Sequence, residues 1–157
     1  IGFGMKINVY DPYVGEDVIK KAGGTKTNSL DEGLKIADFI SIHSPLTKET
    51  KNLINKDNMK IMKKNSILIN TARGGIINEL DLNQALNENI IFRAGLDVFE
   101  KEPINLDNPL INNKKVLLSP HAATFTKECT AKMGIQTAQN IIDFYEGNLS
   151  NKMKVNL

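Results

Sequence analysis

The chain has little cysteine, little net charge and no long apolar run. A single cysteine, Cys129, excludes an internal disulfide framework and favours a reducing compartment, so we expect a cytoplasmic protein. Twenty basic and 18 acidic residues give a net charge of +2, which is too balanced for a nucleic-acid surface as the main function. No apolar stretch approaches the roughly 20 residues of a membrane-spanning helix. We therefore expect neither nucleic acid nor a membrane as a partner.

In other respects the sequence is that of an ordinary globular domain. Of its 157 residues, 41% are hydrophobic and 24% are charged, and a domain of this size buries roughly two thirds of its unfolded surface without a disulfide or a metal. The two histidines and the cysteine lack metal-ligand spacing, so we expect no metal site. The chain starts at Ile1 rather than at methionine, where Gly2 and Gly4 are typical of a helix end. We therefore expect the sequence to be a fragment.

Short β-rich runs alternate with helical patterns along the chain. Strands are predicted at residues 5–10, 39–43, 66–70, 93–99 and 116–119. The clearest helices are predicted at 16–22, 30–37, 58–62, 79–87 and 126–146, with Ser29 and Asp57 as N-caps. The buried stripe of the last helix is predicted to be Met133, Ala138, Ile141, Ile142 and Tyr145. Such alternation implies right-handed βαβ crossovers and therefore an α/β fold with a doubly wound, mostly parallel sheet.

Most of the chemically distinctive residues come at or just after the end of a predicted strand. They are Asp11, Ser44, Pro45, Thr71, Ala72, Arg73, Asp97 and His121. The carboxyl ends of parallel strands share one edge of a sheet, and open α/β folds bind ligands in the crevice there. One polar residue at a strand end carries little information, because strand ends are solvated in any case. The set as a whole predicts a ligand-binding crevice.

Two of these residues suggest what the ligands are. Arg73 precedes Gly74 and Gly75, and its planar fork suits a carboxylate, while the glycines allow a tight turn and a close approach. The alternative is an exposed arginine in an ordinary strand–turn–helix. An acid such as Asp11, after a strand of a dinucleotide fold, bonds the adenosine ribose and repels the extra phosphate of NADP. Asp-Pro is also a common turn, and that interpretation stays open.

Glu102 and His121 suggest proton transfer. A carboxylate bonded to a histidine fixes the orientation of the ring and favours its charged form, which suits proton exchange near neutral pH. Alternatively, Glu102 is one acid in a solvated run with Glu100 and Lys101, and His121 is a strand-end histidine without a role. The other histidine, His43, is interpreted as a hydrogen-bonded structural residue.

Five segments together give the chain a family resemblance. They are Tyr10–Pro12, His43–Thr47, Asn70–Gly75, Gly95–Pro103 and Ser119–Ala123. With them the chain resembles the D-isomer-specific 2-hydroxyacid dehydrogenases over essentially its whole length. The resemblance implies a Rossmann-type, N-terminally truncated NAD-binding domain over residues 1–147, without its first strand and its Gly-x-Gly-x-x-Gly loop. Residues 148–157 would be a tail returning toward a substrate domain that is absent from the sequence.

The same resemblance implies a role for each site residue. Arg73 would bind the substrate carboxylate and polarise the carbonyl, Glu102 would support the histidine, and His121 would be the general acid/base. The residues implied to bind the cofactor NAD are Asp11, Ser44, Pro45, Thr71, Ala72, Arg73, Asp97, His121 and Ala123.

The implied activity is hydride transfer between NAD(H) and a small D-2-hydroxy acid or 2-keto acid, of the phosphoglycerate or hydroxypyruvate/glyoxylate type. A homodimer is expected. One alternative is a dehydrogenase-like regulatory protein that binds NAD and acts through protein contacts. Another is an inert fragment, because apolar surface and unpaired strand edges would be exposed without the first strand, and we expect weak or no cofactor affinity for this stretch alone.

Overall fold

Strands and helices alternate along most of the chain in the computed structural model, which describes residues 2–154. The strands are β1 (Asn8–Val9), β2 (Thr25–Lys26), β3 (Phe39–Ile42), β4 (Ile67–Asn70), β5 (Arg93–Leu96) and β6 (Val116–Leu118). The helices are α1 (Glu16–Lys21), α2 (Leu30–Ile36), α3 (Lys56–Met59), α4 (Glu79–Asn87) and α5 (Lys127–Tyr145), with single 3-10 turns at Pro109–Asn112 and Asn151–Met153. The chain divides after His121 into two compact units, and α5 lies in the second. The predicted helix end at Ile1 and the last three residues of the predicted tail lie outside the described residues.

All of these strands pair in parallel, but they form two separate sheets. β1 pairs with β2, and a four-stranded sheet has the order β3-β4-β5-β6. The predicted α/β class with parallel strands is therefore confirmed. Only Asn8–Val9 of the predicted first strand pairs, and a two-residue strand, β2, forms beside it. The strand predicted to reach Phe99 ends at Leu96, which lies beside Leu118 and is its last residue in register with β6.

The core of the first unit lies between the four-stranded sheet and the helices that cover it. Leu68 in β4 and Leu96 in β5 are 0% and 4% exposed, and α4 contributes the buried Leu82 and Leu86. Residues four apart share one side of a helix, and burying each leucine stabilises the fold by about 1.5–3 kcal/mol. Leu80, predicted on the same side, is 69% exposed, because it lies about 200° around the helix from Leu82.

Side-chain caps fix where α2 and α3 begin. The Ser29 hydroxyl accepts the amide N–H of Glu32 at 3.1 Å, as the predicted N-cap should. The prediction that Asp57 caps the next helix is wrong, because Asn55 has that role. The Asn55 side chain accepts the N–H groups of Asp57 at 3.0 Å and Asn58 at 3.5 Å, and the Asn55 N–H donates to the Asn58 side chain at 2.9 Å. This reciprocal pair satisfies two backbone donors at once, so the helix starts two residues earlier than predicted.

The second unit consists mainly of α5, which begins and ends close to the predicted positions. Thr126 caps its start through its side chain, and Glu146 is the C-cap. The predicted burial of its apolar stripe is wrong: all five residues are exposed, with Met133 at 54% and Tyr145 at 84%. A stripe at helical spacing shows which face can pack, and residues 122–154 contain no second α-helix or strand against which it could pack. None of the helices in the described part of the chain is long and apolar enough to cross a membrane.

Candidate active site

The carboxyl ends of four strands lie side by side. In the four-stranded sheet Ile42 pairs with Asn70, Asn70 with Leu96, and Leu96 with Leu118. The pairing continues past the strands, since the N–H of Asp97 is donated to the carbonyl of Asn70 at 3.0 Å. The residues that follow β3, β4, β5 and β6 therefore lie along one edge, as predicted, whereas Asp11, predicted at the same edge, follows β1 of the separate two-stranded sheet.

The side chain of Asn70 closes the turn that carries Arg73. Asn70 is 2% exposed at the end of β4. Its Oδ1 accepts the N–H of Ala72 at 3.0 Å, and its Nδ2 donates to the carbonyl of Arg73 at 2.9 Å. We call residues 70–75 the arginine turn. The guanidinium of Arg73 is exposed and donates one Nη1–H to the carbonyl of Ala72 at 2.6 Å, so its remaining donors can serve a ligand.

Gly74 packs the arginine turn directly onto the loop that follows β5. A Cβ atom on Gly74 would lie 1.7 Å from the carbonyl oxygen of Phe99 and 2.7 Å from the amide nitrogen of Glu100. The adjoining Gly75 has a φ of +79°, in the left-handed region that favours glycine. The arginine turn and this loop are therefore packed backbone against backbone.

We expect Gly74→Ala to destabilise the intact protein by roughly 1–3 kcal/mol or more, because the obstacle is backbone rather than a mobile side chain. Urea unfolding of purified protein measures this free energy. Gly95→Ala in β5 is the matched control, since no atom lies within 4 Å of a Cβ placed there. Equal stabilities of the two variants would contradict this packing.

Glu102 and His121 form a hydrogen-bonded pair. Oε2 of Glu102 lies 2.7 Å from Nδ1 of His121, and Oε1 accepts the N–H of Phe99 at 3.0 Å. The bond from His121, followed by the bond from Phe99, holds the pKa of Glu102 below its usual value. The carboxylate therefore stays ionised to lower pH, and its support of His121 is lost only as the pH falls through that lowered pKa. Since an ionised Glu102 can only accept a hydrogen bond, Nδ1 of His121 carries the donated hydrogen. The other ring nitrogen, Nε2, is then left to exchange a proton with a reactant.

The backbone of His121 is also held in place. Its φ of +53° is uncommon for a residue with a side chain, and its N–H is donated to the carbonyl of Asp97 at 2.8 Å. Such backbone strain concentrates at functional sites. Asp97 itself is 3% exposed, and its Oδ1 accepts the hydroxyl hydrogen of Ser119 at 2.5 Å. Asp97 thus anchors the segment that presents His121.

Asp11 follows β1, in the two-stranded sheet. Its Oδ1 accepts the amide hydrogens of Tyr13 at 2.8 Å and Val14 at 3.0 Å. Asp11 therefore forms the Asp-Pro turn that the sequence left open. These bonds use Oδ1 alone and fix the orientation of the carboxylate without using Oδ2. A structural turn and a ribose contact are therefore compatible at Asp11.

The remaining predicted residues lie after β3 or in the second unit. Ser44 and Pro45 follow β3, where the Thr50 hydroxyl is donated to the carbonyl of Pro45 at 2.6 Å. Ala123 belongs to the second unit. His43 bonds the Ser41 hydroxyl at 2.8 Å, which agrees with a structural role. Within residues 2–154, no group of three or more His, Cys, Asp or Glu side chains is placed to hold a metal ion.

The sequence analysis assigned no role to Asn70 or Ser119, and it assigned Gly74 to a tight turn and a close approach without identifying what approaches it. A buried asparagine at the end of an apolar strand was the available signal for Asn70, because such a side chain must find backbone partners. The contact of Gly74 with Phe99 joins residues 25 positions apart, and the local sequence carries no sign of it.

Parallel strands covered by helices, with polar side chains along their carboxyl edge, define a Rossmann-type α/β domain. The chain belongs to the D-isomer specific 2-hydroxyacid dehydrogenase family, whose NAD binding domain model matches residues 1–123. The predicted family is therefore confirmed.

Individual relatives agree with this assignment. The chain is 43% identical to glyoxylate reductase from Aeropyrum pernix, over 94% of this chain and 44% of that protein. It is 42% identical to D-3-phosphoglycerate dehydrogenase from Bacillus subtilis, over 92% and 27%. The structure of D-lactate dehydrogenase with NAD+ from Lactobacillus jensenii superposes with a TM-score of 0.86 at 31% identity, over 99% of this chain and 50% of that chain. The chain thus spans no more than half the length of these proteins.

Proposed function

We propose that the chain is the NAD-binding part of a longer dehydrogenase that interconverts a D-2-hydroxy acid and the corresponding 2-keto acid. The observation that carries the proposal is the Glu102–His121 pair, 2.7 Å between Oε2 and Nδ1, at the same sheet edge as Arg73. The relatives named glyoxylate reductase and D-3-phosphoglycerate dehydrogenase support a substrate of the glyoxylate/hydroxypyruvate or phosphoglycerate type.

Each of the three residues has a distinct part in the reduction of a 2-keto acid. Arg73 binds the substrate carboxylate through its fork and orients the carbonyl. His121 donates a proton from Nε2 to the carbonyl oxygen, while Glu102 orients the ring through its hydrogen bond to Nδ1. NAD, when bound, supplies or accepts the hydride. In the oxidative direction His121 takes the hydroxyl proton back.

The residues present fit a dinucleotide. A parallel strand between β1 and β3 would join the sheets β1-β2 and β3-β4-β5-β6 into one whose strand order reverses at that strand, and dinucleotides bind at the carboxyl ends of strands at such a reversal. Asp11 follows β1 and has a carboxylate oriented through Oδ1, which suits it to bond the ribose hydroxyls. The other residues that we propose to hold NAD are Ser44, Pro45, Thr71, Ala72, Arg73, Asp97, His121 and Ala123.

We propose that the NAD-binding domain extends over residues 1–147 and is completed by a strand from outside the described residues. In the described part of the chain, β1 and β3 each pair with one strand only. A parallel strand between them would join the two sheets. A tail over residues 148–157 would lead back to a substrate-binding domain, for which the partial coverage of the relatives leaves room.

The test of the proposed function is turnover by the full-length protein. Purified protein should oxidise NADH with glyoxylate, hydroxypyruvate or 3-phosphohydroxypyruvate, and it should reduce NAD with the D-isomer but not the L-isomer of the matching hydroxy acid. Binding of NAD without turnover of any of these acids would contradict the enzyme and support the regulatory alternative.

A homodimer and a cytoplasmic location complete the proposal. The exposed apolar residues of α5, such as Ile141 at 54% and Phe144 at 64%, are suitable for an interface. A lone cysteine, Cys129, which is free in the structure, is usual in a reducing compartment.

A further inference from the structure

The buried carboxylate of Glu79 bridges two parts of the loop that follows β5. Glu79 is the first residue of α4 and is 9% exposed. Its Oε1 accepts the N–H of Glu100 at 2.6 Å, and its Oε2 accepts an Nδ2–H of Asn108, also at 2.6 Å. A buried carboxylate is costly unless it is hydrogen-bonded, and here both oxygens are. Its position at the N-terminus of α4 also suits a negative charge.

The peptide between Phe99 and Glu100 is where several contacts of the site meet. Its N–H is bonded to Glu79, and its carbonyl oxygen lies against Gly74 of the arginine turn. The preceding N–H, that of Phe99, is donated to Oε1 of Glu102, whose other oxygen bonds His121. A displacement of this peptide would therefore move Glu102 relative to His121.

Asn108 links the carboxylate of Glu79 to the buried Leu110. Its Oδ1 accepts the N–H of Leu110 at 3.0 Å, and Leu110 is fully buried. The amide of Asn108 cannot rotate to exchange its oxygen and nitrogen without losing that bond. The donor that faces Glu79 is therefore fixed.

We propose that Glu79 is a positioning residue, whose carboxylate holds the Phe99–Glu100 peptide where Glu102 can orient His121. This inference rests on the proposed function and adds a residue that acts through Glu102 rather than on the substrate. Misplacement of a reacting group by about 1 Å can lower turnover about 100-fold. The two bonds that lower the pKa of Glu102 come from His121 and Phe99, so release of the peptide should raise that pKa toward its usual value.

The experiment exchanges the donor and acceptor between two side chains in the full-length protein. Glu79→Gln keeps the shape but turns an amide nitrogen toward the amide of Asn108, and we expect kcat to fall about 10- to 100-fold. The acid limb of the pH profile of kcat/KM should move to higher pH, and residues 97–103 should exchange their amide hydrogens faster.

Asn108→Asp alone places two carboxylates face to face and should behave similarly. In Glu79→Gln/Asn108→Asp the new amide donates to the new carboxylate, so all three readouts should return toward wild type.

Asp81→Asn is the matched control. Asp81 lies in the same first turn of α4, but its Oδ2 accepts the N–H of Lys56 at 2.9 Å, far along the chain from the loop after β5. We expect this variant to lose stability without moving the acid limb or the exchange of residues 97–103.

Two results would overturn the inference. One is a Glu79→Gln variant that matches Asp81→Asn in turnover, acid limb and exchange, and the other is a double variant that restores none of them. If the wild-type protein turns over none of the 2-keto acids, the proposed function fails. The exchange of residues 97–103 across the four variants and wild type then still decides whether Glu79 holds the loop.

Discussion

His121→Gln in the full-length protein is expected to lower kcat about 100- to 10,000-fold, the usual contribution of a positioned general acid or base. Glutamine fills similar space and can accept or donate a hydrogen bond, but it cannot deliver a proton to the carbonyl oxygen. Steady-state kinetics with NADH and the preferred 2-keto acid measure the effect. Turnover should fall far more than the affinity for NADH, since the lost interaction belongs to the chemical step.

His43→Gln provides the comparison, because His43 also follows a strand of the four-stranded sheet but bonds Ser41 rather than a carboxylate. We expect its kcat to remain within a few-fold of wild type. A His121→Gln variant that kept more than about a hundredth of the wild-type turnover would remove the proton-transfer role, given the lower limit of that contribution.

The parts of the fold that the sequence predicted well are those set by local chemistry. α4 has the predicted bounds, because an asparagine cap precedes it and a left-handed Asn89 follows it. α5 lies between Thr126 and Glu146 as predicted. The carboxyl edge of the sheet was also predictable, since apolar runs in a parallel sheet end at polar residues along one side.

The parts that were missed depend on contacts between distant segments. The exposure of the α5 stripe depends on what packs beside the helix, and a pattern of spacing does not specify that. At the start of α3, two candidate N-caps, Asn55 and Asp57, lie two positions apart, and the reciprocal hydrogen bonds between Asn55 and Asn58 make Asn55 the cap.

The residues of the site also fall into two groups, those that the sequence predicted and those that it missed. Arg73, Glu102 and His121 were identified by residue type and order, and the structure brings Glu102 and His121 within hydrogen-bonding distance. Asn70 and Glu79, which hold the backbone on which those three stand, were not identified. Asn70 bonds backbone groups, and Glu79 bonds one backbone N–H and the amide of Asn108, 29 positions away, so the sequence nearby does not point to either residue.

Arg73→Ala is expected to raise the KM for the 2-keto acid and to lower kcat, so that kcat/KM falls about 100-fold or more. The estimate follows from the loss of two charge-assisted hydrogen bonds to the substrate carboxylate, each of about 1.5–3 kcal/mol. Arg73→Lys should recover part of this loss, because an ammonium keeps the charge but not the fork. Steady-state kinetics with the acid and with the corresponding aldehyde, which lacks the carboxylate, test the assignment directly.

The comparison between the two substrates makes the prediction specific. Wild-type protein should prefer the acid strongly, and Arg73→Ala should lose most of that preference while its activity on the aldehyde changes little. Arg93→Ala is the matched control, because the second arginine of the chain opens β5 at the opposite end of the strand and lies over the ring of Phe92. An Arg73→Ala variant that still preferred the acid as strongly as wild type would place the carboxylate elsewhere. If the preference is lost in Arg73→Ala alone, the arginine turn, closed by Asn70 and packed through Gly74, is the part of the site that selects an acid.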